Sequence, residues 1–388
     1  MPDIDSPRRI LEQLVAFPSV SRDSNLDLID WIENWLAQYG ISATRVYNDD
    51  RSKASIYAHT GPMQPGAVVL SGHTDVVPVD GQNWTTDPFT VTERDGKLFG
   101  RGTTDMKGFD ALALWAMARA ATHGVTRPLQ IALSRDEEIG CLGAPAMIDD
   151  MIASGLPRGD TVIVGEPSMM SCVTGHKGGT GYWIKAKGFE VHSSLMHKGV
   201  SAIMEAARVI AWAHAQNKLN ADAPPGEMAA LFDPPYTTLH TGIISGGTAH
   251  NITAADCTFG VDFRVVPGDS IDKWSAKLFH EINRIETEMK AIHPDAGLPF
   301  EKRFDVPALT PELNGAAEHL VRRLTGDNGT HVVSYGTEAG QFQERGYSAV
   351  ICGPGDIAQA HQPDEYITVD QFNEGQRLMD RLLAMLQE

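Results

Sequence analysis

A histidine and an aspartate two residues apart close an apolar segment at residues 69–78. His73 and Asp75 follow an apolar run and a glycine, a pattern typical of a buried strand that delivers two polar side chains into a loop. Imidazole is the commonest neutral metal ligand, and its second ring nitrogen usually donates to a carboxylate, which Asp75 could supply. The pair alone is just as typical of a hydrogen-bonded turn at a strand end.

Carboxylates recur at later points of the same kind. Asp105 lies in a glycine-rich loop directly before a predicted helix, so it could bind a metal or simply cap that helix. Three consecutive acids, Asp136, Glu137 and Glu138, come directly after a predicted apolar strand. Like charges crowded beside a core cost stability unless a cation neutralises them. We therefore favour a metal site over a solvated acidic loop.

Two further residues complete a mixed nitrogen and oxygen ligand set. Glu166 follows a predicted strand, and His361 lies in a loop near the end of the chain. Two imidazoles and three carboxylates, with no thiolate, suit Zn²⁺ or Mn²⁺ and tolerate Co²⁺. One metal needs only three protein ligands, whereas five ligands with one bridging carboxylate suit two metals. The predicted metal ligands are His73, Asp105, Glu138, Glu166 and His361.

Glu137 is left free for proton transfer beside this ligand set. As a general base it would take a proton from the water that attacks a carbonyl, and as a general acid it would return that proton to the leaving nitrogen. These residues therefore indicate hydrolysis of an amide.

The secondary structure has to bring these residues together. Predicted strands at 67–71, 129–133 and 161–164 alternate with predicted helices at 109–123 and 144–153. This alternation predicts an α/β catalytic domain with a mainly parallel sheet. Sites in such sheets form beyond the carboxyl ends of the strands, which is where the candidate ligands fall.

The order of elements changes near residue 175. From there the pattern is strand, helix, two strands and helix, which predicts a smaller inserted α+β domain of βαββαβ-like order. We expect residues 1–176 to form the N-terminal part of the catalytic domain, 177–291 the inserted domain, and 292–388 the C-terminal part of the catalytic domain.

Composition narrows the functional classes. The chain has 388 residues, more than one core usually accommodates, and a net charge of −18 with no basic run, which argues against binding to nucleic acid or to an anionic membrane. It shows no export signal and no apolar segment long enough to span a bilayer. Four scattered cysteines favour reduced thiols, so we expect a cytoplasmic protein.

Five short motifs, taken together, resemble the dizinc peptidase and deacylase family, which contains acetylornithine deacetylase, succinyl-diaminopimelate desuccinylase, aminoacylase and glutamate carboxypeptidase. The resemblance extends over nearly the whole chain, in the same order and spacing. It implies a catalytic domain built from both ends of the chain, with the insertion serving as a dimerisation or lid domain of a homodimer. The motifs lie at residues 71–78, 100–108, 136–138 and 165–167 and at His361.

The resemblance also implies a role for each residue. His73 and Glu166 would hold one metal and Glu138 and His361 the other, with Asp105 as the bridge. Two further roles follow from the same pattern, with Asp75 orienting His73 and Glu137 acting as the base.

The insertion contributes residues by the same resemblance. His192 matches a histidine that reaches an active site, often that of the partner subunit, and stabilises the oxyanion; otherwise it is a histidine on a strand edge. Asn251 and Arg264 match positions that bind the substrate carboxylate, although Arg264 could equally form a structural salt bridge. Outside the insertion, Glu338 could attract a substrate amine or be an ordinary charged loop residue.

Segments 80–89 and 352–361 resemble the acetylornithine deacetylase branch of the family. This implies hydrolysis of a small N-acyl amino acid, namely N2-acetyl-L-ornithine, to L-ornithine and acetate, a step of arginine biosynthesis. A desuccinylase, a general aminoacylase and a dipeptidase are alternatives within the family. A non-catalytic binding relative is the alternative from another functional class, although no ligand position is missing here.

Overall fold

A computed structural model describes residues 4–388 as two compact units. The first unit is described from residue 4 to Gly175 and also contains Pro311–His331 and Thr337–Glu388. The second unit comprises His176–Thr310 and Val332–Gly336. The first unit is thus assembled from both ends of the chain.

Helices occur in both units. Within residues 4–388 the α-helices are α1 (Pro7–Val15), α2 (Leu26–Ala37), α3 (Lys107–His123), α4 (Ala144–Ala153), α5 (Ala202–Asp222), α6 (Ile271–Ile292), α7 (Ala316–Thr325), α8 (Ala339–Glu344) and α9 (Val369–Gln387). Helices α5 and α6 belong to the second unit. No helix in this described part of the chain is both long enough and apolar enough to cross a membrane.

Strands alternate with these helices. Those in the described residues are β1 (Ala43–Tyr47), β2 (Ala54–Thr60), β3 (Ala67–His73), β4 (Thr92–Arg94), β5 (Lys97–Phe99), β6 (Leu129–Ser134), β7 (Gly159–Pro167), β8 (Val173–His176), β9 (Gly178–Lys187), β10 (Thr238–His240), β11 (Ile244–Gly246), β12 (Asp256–Val265), β13 (Phe300–Val306), β14 (His331–Val333), β15 (Ser348–Gly353) and β16 (Tyr366–Thr368).

The large sheet has eight strands in the order β1-β2-β6-β3-β7-β15-β8-β14. Its four central strands, β6, β3, β7 and β15, run parallel to one another, while β2 and β8 join them antiparallel. Strands β3 and β6 are buried along their whole length, because helices cover both faces of a parallel sheet. The prediction of an α/β fold with a mainly parallel sheet is confirmed.

Helix α3 lies at the centre of the first unit. Residues 101–118 are all buried, and α3 contacts α1 and α9 as well as strands of the sheet. A helix that is buried on every side is expected only inside a core. The loop that precedes it is therefore anchored to the most buried helix of the unit.

A small three-stranded sheet has the strand order β16-β5-β4. Its strand β5 ends just before the loop that leads into α3. Strands β4 and β5 form a hairpin whose turn, Asp95 and Gly96, has positive φ at both residues, as a tight two-residue turn requires. Strand β16 pairs with β5 and comes from the C-terminal part of the chain.

The second unit has its own sheet and core. The sheet order is β10-β12-β9-β13, with β11 beside β12, and β12 alternates buried and partly buried residues, as a strand with one face on a core should. Helices α5 and α6 supply further core residues, including Val209 and Leu278. The order of elements is β9-α5-β10-β11-β12-α6-β13, which has one more strand between the helices than the expected βαββαβ-like order because the short strand β11 also pairs with β12. This unit extends past residue 291 to Thr310, because β13 adds an edge strand to β9.

Candidate metal centre

Three adjacent strands of the large sheet, β6, β3 and β7, bring most of the candidate ligands to one edge. His73 is the last residue of β3 and pairs in register with Ser134, the last residue of β6. Glu137 and Glu138 follow shortly after Ser134, and Glu166 lies near the end of β7. Because these strands are parallel, their carboxyl ends meet, as the positions of the residues in the sequence predicted.

Two loops supply the other two candidate ligands. Asp105 precedes α3, in a loop where Gly102 has a φ of 85° and an added Cβ would lie 2.9 Å from Val76 Cγ1, so that only glycine fits there. His361 follows β15 and has a φ of 62°, a left-handed conformation that few non-glycine residues adopt.

The Asp105 carboxylate lies between the two imidazoles. Its Oδ1 is 3.1 Å from His73 Nε2, and its Oδ2 is 3.2 Å from His361 Nε2. One carboxylate therefore presents one oxygen to each histidine.

Each imidazole also has a glutamate nearby. Glu166 Oε1 lies 3.7 Å from His73 Nε2, and Glu138 Oε2 lies 3.0 Å from His361 Nε2. The five predicted ligands thus form two imidazole and glutamate pairs that share Asp105.

Burial shifts the pKa values of the acids in this cluster upward. It raises the pKa of Glu137 to about 7 and that of Glu138 to about 8, and repulsion from Asp105 adds to both effects. Burial and the Asp105 charge also raise the pKa of Glu166 well above its ordinary value. Several acids are therefore held partly protonated, and a cation could take the place of those protons.

The pKa values of Asp105 and His361, which contact each other directly, shift in the directions that favour their charged forms. Burial alone would raise the pKa of Asp105, but hydrogen bonds from His361 and His73 outweigh it and hold that pKa well below its usual range. Hydrogen bonds to Asp105 and Glu138 raise the pKa of His361 to about 10. These pairs show how strongly the carboxylates attract positive charge.

The donor set fits a metal centre. Two overlapping groups have ligand atoms that all lie within 4.8 Å of one another; one is His73, Asp105 and Glu138, and the other is His73, Glu137 and Glu166. Glu138 Oε1 is buried and has no hydrogen-bond partner, which is expected of an oxygen that faces a cation. Glu137 is thus near the His73 side of the centre and within reach of a molecule bound there.

The Asp75 side chain makes contacts that differ from the expected one. His73 Nδ1 lies 2.9 Å from the backbone oxygen of Asp75, while the nearer carboxylate oxygen is 3.8 Å away, too far for a hydrogen bond. The backbone carbonyl, not the carboxylate, therefore holds the His73 tautomer. The carboxylate instead accepts from the backbone N–H groups of Glu137 (3.0 Å) and Glu138 (3.3 Å) and from Ser21 Oγ (2.7 Å), so it anchors the loop that carries both glutamates.

A buried thiol contacts the predicted base. Cys141 Sγ donates to Glu137 Oε1 at 3.0 Å, and Cys141 is 3% exposed. The sequence offered no reason to assign this cysteine a role, since it lies outside any Cys-x-x-Cys pair.

The structure places Glu338 inside the core of the first unit. It is fully buried at the start of α8, and its Oε1 accepts a hydrogen bond of 2.8 Å from Ser71 Oγ, two residues before His73. Burial raises the pKa of Glu338 to about 7. The Glu338 carboxylate thus contacts the hydroxyl of Ser71 on β3 rather than solvent.

The remaining predicted site residues lie in the second unit. His192 is exposed and its Nδ1 lies 2.8 Å from Ser194 Oγ. Asn251 is exposed, and its backbone oxygen accepts from the N–H of Ser193. Arg264, on β12, forms a 3.4 Å ion pair with Asp262 while 42% of its side chain remains exposed. All three thus keep polar atoms available to a ligand.

Sequence reasoning missed a fully buried ion pair between Arg101 and Glu365, whose closest atoms, Nη1 and Oε2, are 2.6 Å apart. Both residues adjoin predicted ligands in the chain, since Arg101 shares the glycine-rich loop of Asp105 and Glu365 follows His361 by four residues. Their nearness in sequence to predicted ligands could have identified both residues as candidates for a role at the site.

Comparison with known proteins shows which family the chain belongs to. Residues 69–385 match the model of peptidase family M20/M25/M40. Acetylornithine deacetylases of Myxococcus xanthus and Proteus mirabilis (strain HI4320) are each 34% identical to the chain; the alignments cover 97% and 96% of this chain and 96% and 95% of those proteins. The M20 family metallo-carboxypeptidase Sso-CP2 of Sulfolobus solfataricus has the same fold, with a TM-score of 0.80, 16% identity and 99% of each chain covered. The chain therefore belongs to peptidase family M20/M25/M40 and is a metallohydrolase.

Proposed function

We propose that this protein is a metal-dependent deacetylase that hydrolyses N2-acetyl-L-ornithine to L-ornithine and acetate. The observation that carries the proposal is the Asp105 carboxylate, which presents one oxygen to His73 and the other to His361. The names of the two bacterial relatives support acetylornithine as the substrate and arginine biosynthesis as the pathway.

The proposed cofactor is a pair of Zn²⁺ ions, with Co²⁺ or Mn²⁺ as substitutes. His73 and Glu166 would hold one ion, Glu138 and His361 the other, and Asp105 would bridge them. Bound there, the ions would polarise the acyl carbonyl and lower the pKa of water. Mixed imidazole and carboxylate donors suit these metals, and the unpartnered Glu138 Oε1 provides a free donor atom.

Glu137 is the proposed proton carrier. Its carboxylate takes a proton from the attacking water, the water oxygen bonds to the acyl carbon, and the C–N bond then breaks as Glu137 returns the proton to the leaving nitrogen. A pKa of about 7 suits a group that must accept and donate a proton near neutral pH. Asp75 supports this step by holding the Glu137 backbone N–H.

Residues of the second unit complete the proposal. His192 would stabilise the oxyanion of the tetrahedral intermediate, and Asn251 with Arg264 would bind the substrate carboxylate. The exposed guanidinium and the exposed His192 ring support these roles. Glu338 would attract the substrate amine, and its buried Oε2, which has no hydrogen-bond partner, supports this role.

We further propose that the protein is a homodimer that assembles through the second unit and works in the cytoplasm. Apolar side chains on that unit support the assembly, since Ile203, Met204, Ile243 and Ile244 are between 39% and 61% exposed. The four free, buried cysteines are compatible with a reducing compartment.

The substrate is tested by comparing turnover of four compounds after loading with Zn²⁺ or Co²⁺. These are N2-acetylornithine, N-acetylmethionine, N-succinyl-diaminopimelate and a dipeptide. We expect the highest kcat/KM for N2-acetylornithine. A preference for another compound would replace the substrate and leave the proposed chemistry intact.

The chemistry is tested by two isosteric changes of adjacent residues. Glu137→Gln should retain wild-type metal content and lose at least about 100-fold in kcat, because general acid–base catalysis contributes about 10²–10⁴-fold. Glu138→Gln serves as the contrast and should lose metal as well as activity. Near wild-type turnover by Glu137→Gln would refute the base assignment, and full activity after chelation would refute the metal centre.

A further inference from the structure

We propose that the buried pair Arg101–Glu365 is a positioning device that sets the distance between Asp105 and His361. This inference rests on the proposed metal centre but concerns residues outside the ligand set. Glu365 and Arg101 are each 1% exposed, so solvent does not compete for their contacts.

Glu365 holds the loop of Asp105 through its backbone. Its Oε1 accepts hydrogen bonds from the N–H groups of Gly102 (3.1 Å), Thr104 (3.0 Å) and Asp105 itself (3.1 Å). Three backbone donors on one carboxylate oxygen define the position of the loop, because moving it would leave several buried polar groups without partners.

Arg101 connects this carboxylate to the loop of His361. Its Nη1 donates to Glu365 Oε2 at 2.6 Å, and its Nη2 donates to Gln82 Oε1 at 2.6 Å. Gln82 in turn donates through Nε2 to the backbone oxygen of His361 at 2.9 Å. The planar guanidinium thus joins two loops that are far apart in sequence.

The two loops meet at the candidate metal centre. Asp105 Oδ2 and His361 Nε2 are 3.2 Å apart. Glu365 holds the backbone N–H of Asp105, and Arg101 is linked to the backbone oxygen of His361 through Gln82. His361 needs such support, since its side chain is half exposed and its backbone is left-handed. Trp84 adds to it by donating Nε1 to Gln82 Oε1 at 3.0 Å. The pair contacts neither imidazole, so its effect on the centre is indirect.

The test is a titration of metal-free protein with Zn²⁺, together with turnover of N2-acetylornithine. Glu365→Gln should weaken Zn²⁺ binding by about 10–100-fold, the usual effect of removing a group that orients ligands, and should lower kcat more than it raises KM. Asp149→Asn, which removes an exposed carboxylate partner of Arg345, is the matched control and should bind Zn²⁺ as the wild type does.

A second variant covers the possibility that Glu365→Gln does not fold. Gln82→Glu has the same shape and keeps the acceptor for Arg101, but it loses the donor to His361. It should weaken one of the two Zn²⁺ equivalents and leave the other unchanged, whereas general damage to the fold would weaken both.

Each result has a definite meaning. Wild-type Zn²⁺ affinity and kcat in folded Glu365→Gln, or in Gln82→Glu if the first does not fold, would overturn the positioning role while leaving the metal centre intact. Equal weakening of both equivalents in Gln82→Glu would also overturn it. A wild-type protein that binds no Zn²⁺, Co²⁺ or Mn²⁺ would instead overturn the metal centre and this inference with it.

Discussion

Burial shifts pKa values at two places, and the side chains affected at the candidate metal centre and at the start of the second unit are of opposite kinds. In the first unit, burial raises the pKa values of acids, to about 7 for Glu137 and about 8 for Glu138. In the second unit, burial lowers the pKa values of bases, to about 4 for His176 and about 8 for Lys177. In both cases a low-dielectric environment favours the neutral form.

The partners of these groups differ. His176 Nδ1 lies 2.9 Å from the backbone oxygen of Lys177, and Lys177 Nζ donates to the backbone oxygens of Pro234 (2.7 Å) and Tyr236 (3.1 Å). In the first unit, carboxylates face one another and two imidazoles, and Glu138 Oε1 has no donor. Shifted pKa values therefore occur both at the candidate metal centre and away from it. What distinguishes the centre is the crowding of like charges beside an unpartnered atom.

The largest effect that would sharpen this comparison is expected for His73→Ala. Loss of this imidazole removes the contact to Asp105 Oδ1, and we expect Zn²⁺ affinity and turnover to fall by more than about 100-fold, beyond what removal of a supporting group costs. His176→Gln, a change to the fully buried histidine of the other unit, should bind Zn²⁺ normally. Metal analysis and turnover measure both. Equal metal loss in the two variants would break the comparison.

An intermediate effect concerns acid stability. Because the folded pKa of His176 is about 4 and the unfolded value is about 6.5, the folded state binds fewer protons between these pH values, so stability rises with pH there. The contribution is fully present above pH 6.5 and is lost as pH falls toward 4, about 3 kcal/mol in total.

The variant His176→Gln lacks this titration. Urea unfolding at pH 7 and pH 4.5 should therefore show a smaller loss of the free energy of unfolding in the variant than in the wild type. Identical losses would show that the His176 imidazole is not kept neutral by burial.

The smallest effect is expected at Cys141, whose thiol donates to Glu137. Cys141→Ala should lower kcat by about two- to fivefold, since a hydrogen bond from a weak thiol donor contributes about 0.5–1 kcal/mol, and Cys141→Ser should restore most of it. Cys141 has a φ of 54°, a left-handed conformation that is similarly unfavourable for Cys, Ala and Ser, so we expect backbone strain not to distinguish the two variants from the wild type. Cys257→Ala, a buried thiol of the second unit, is the control and should leave kcat unchanged. A loss of kcat in Cys141→Ser as large as in Cys141→Ala would contradict the hydrogen-bond role.

Much of the fold and of the candidate site could be predicted from sequence. The positions of His73, Glu138 and Glu166 could be predicted because each residue ends or follows a strand that a clear apolar run identifies, and parallel strands end together. The end of the second unit could not be predicted, because β13 is an edge strand of mostly charged, exposed residues that lacks an apolar alternation. Glu365 was not predicted either, since its partners, the Arg101 side chain and three backbone N–H groups, are about 260 residues away in the chain, and backbone donors carry no side-chain signature.

The hydrogen bond between His73 and the backbone oxygen of Asp75 could not be predicted from sequence either. A His-x-Asp spacing suggests a carboxylate partner for the histidine, but the backbone after β3 brings the carbonyl of Asp75 closer to the ring than its carboxylate. Only the local backbone conformation decides between the two.

The neighbouring positions of β6, β3 and β7 have a consequence for protein engineering. Hydrogen-bonded strands lie about 4.8 Å apart, so the sheet itself sets the spacing between side chains that end adjacent strands. A single helix or loop grafted from this protein would not reproduce that spacing. Transplanting the centre into another scaffold would require three adjacent parallel strands, and lengthening or shortening any one of them by a single residue would turn its terminal side chain to the opposite face.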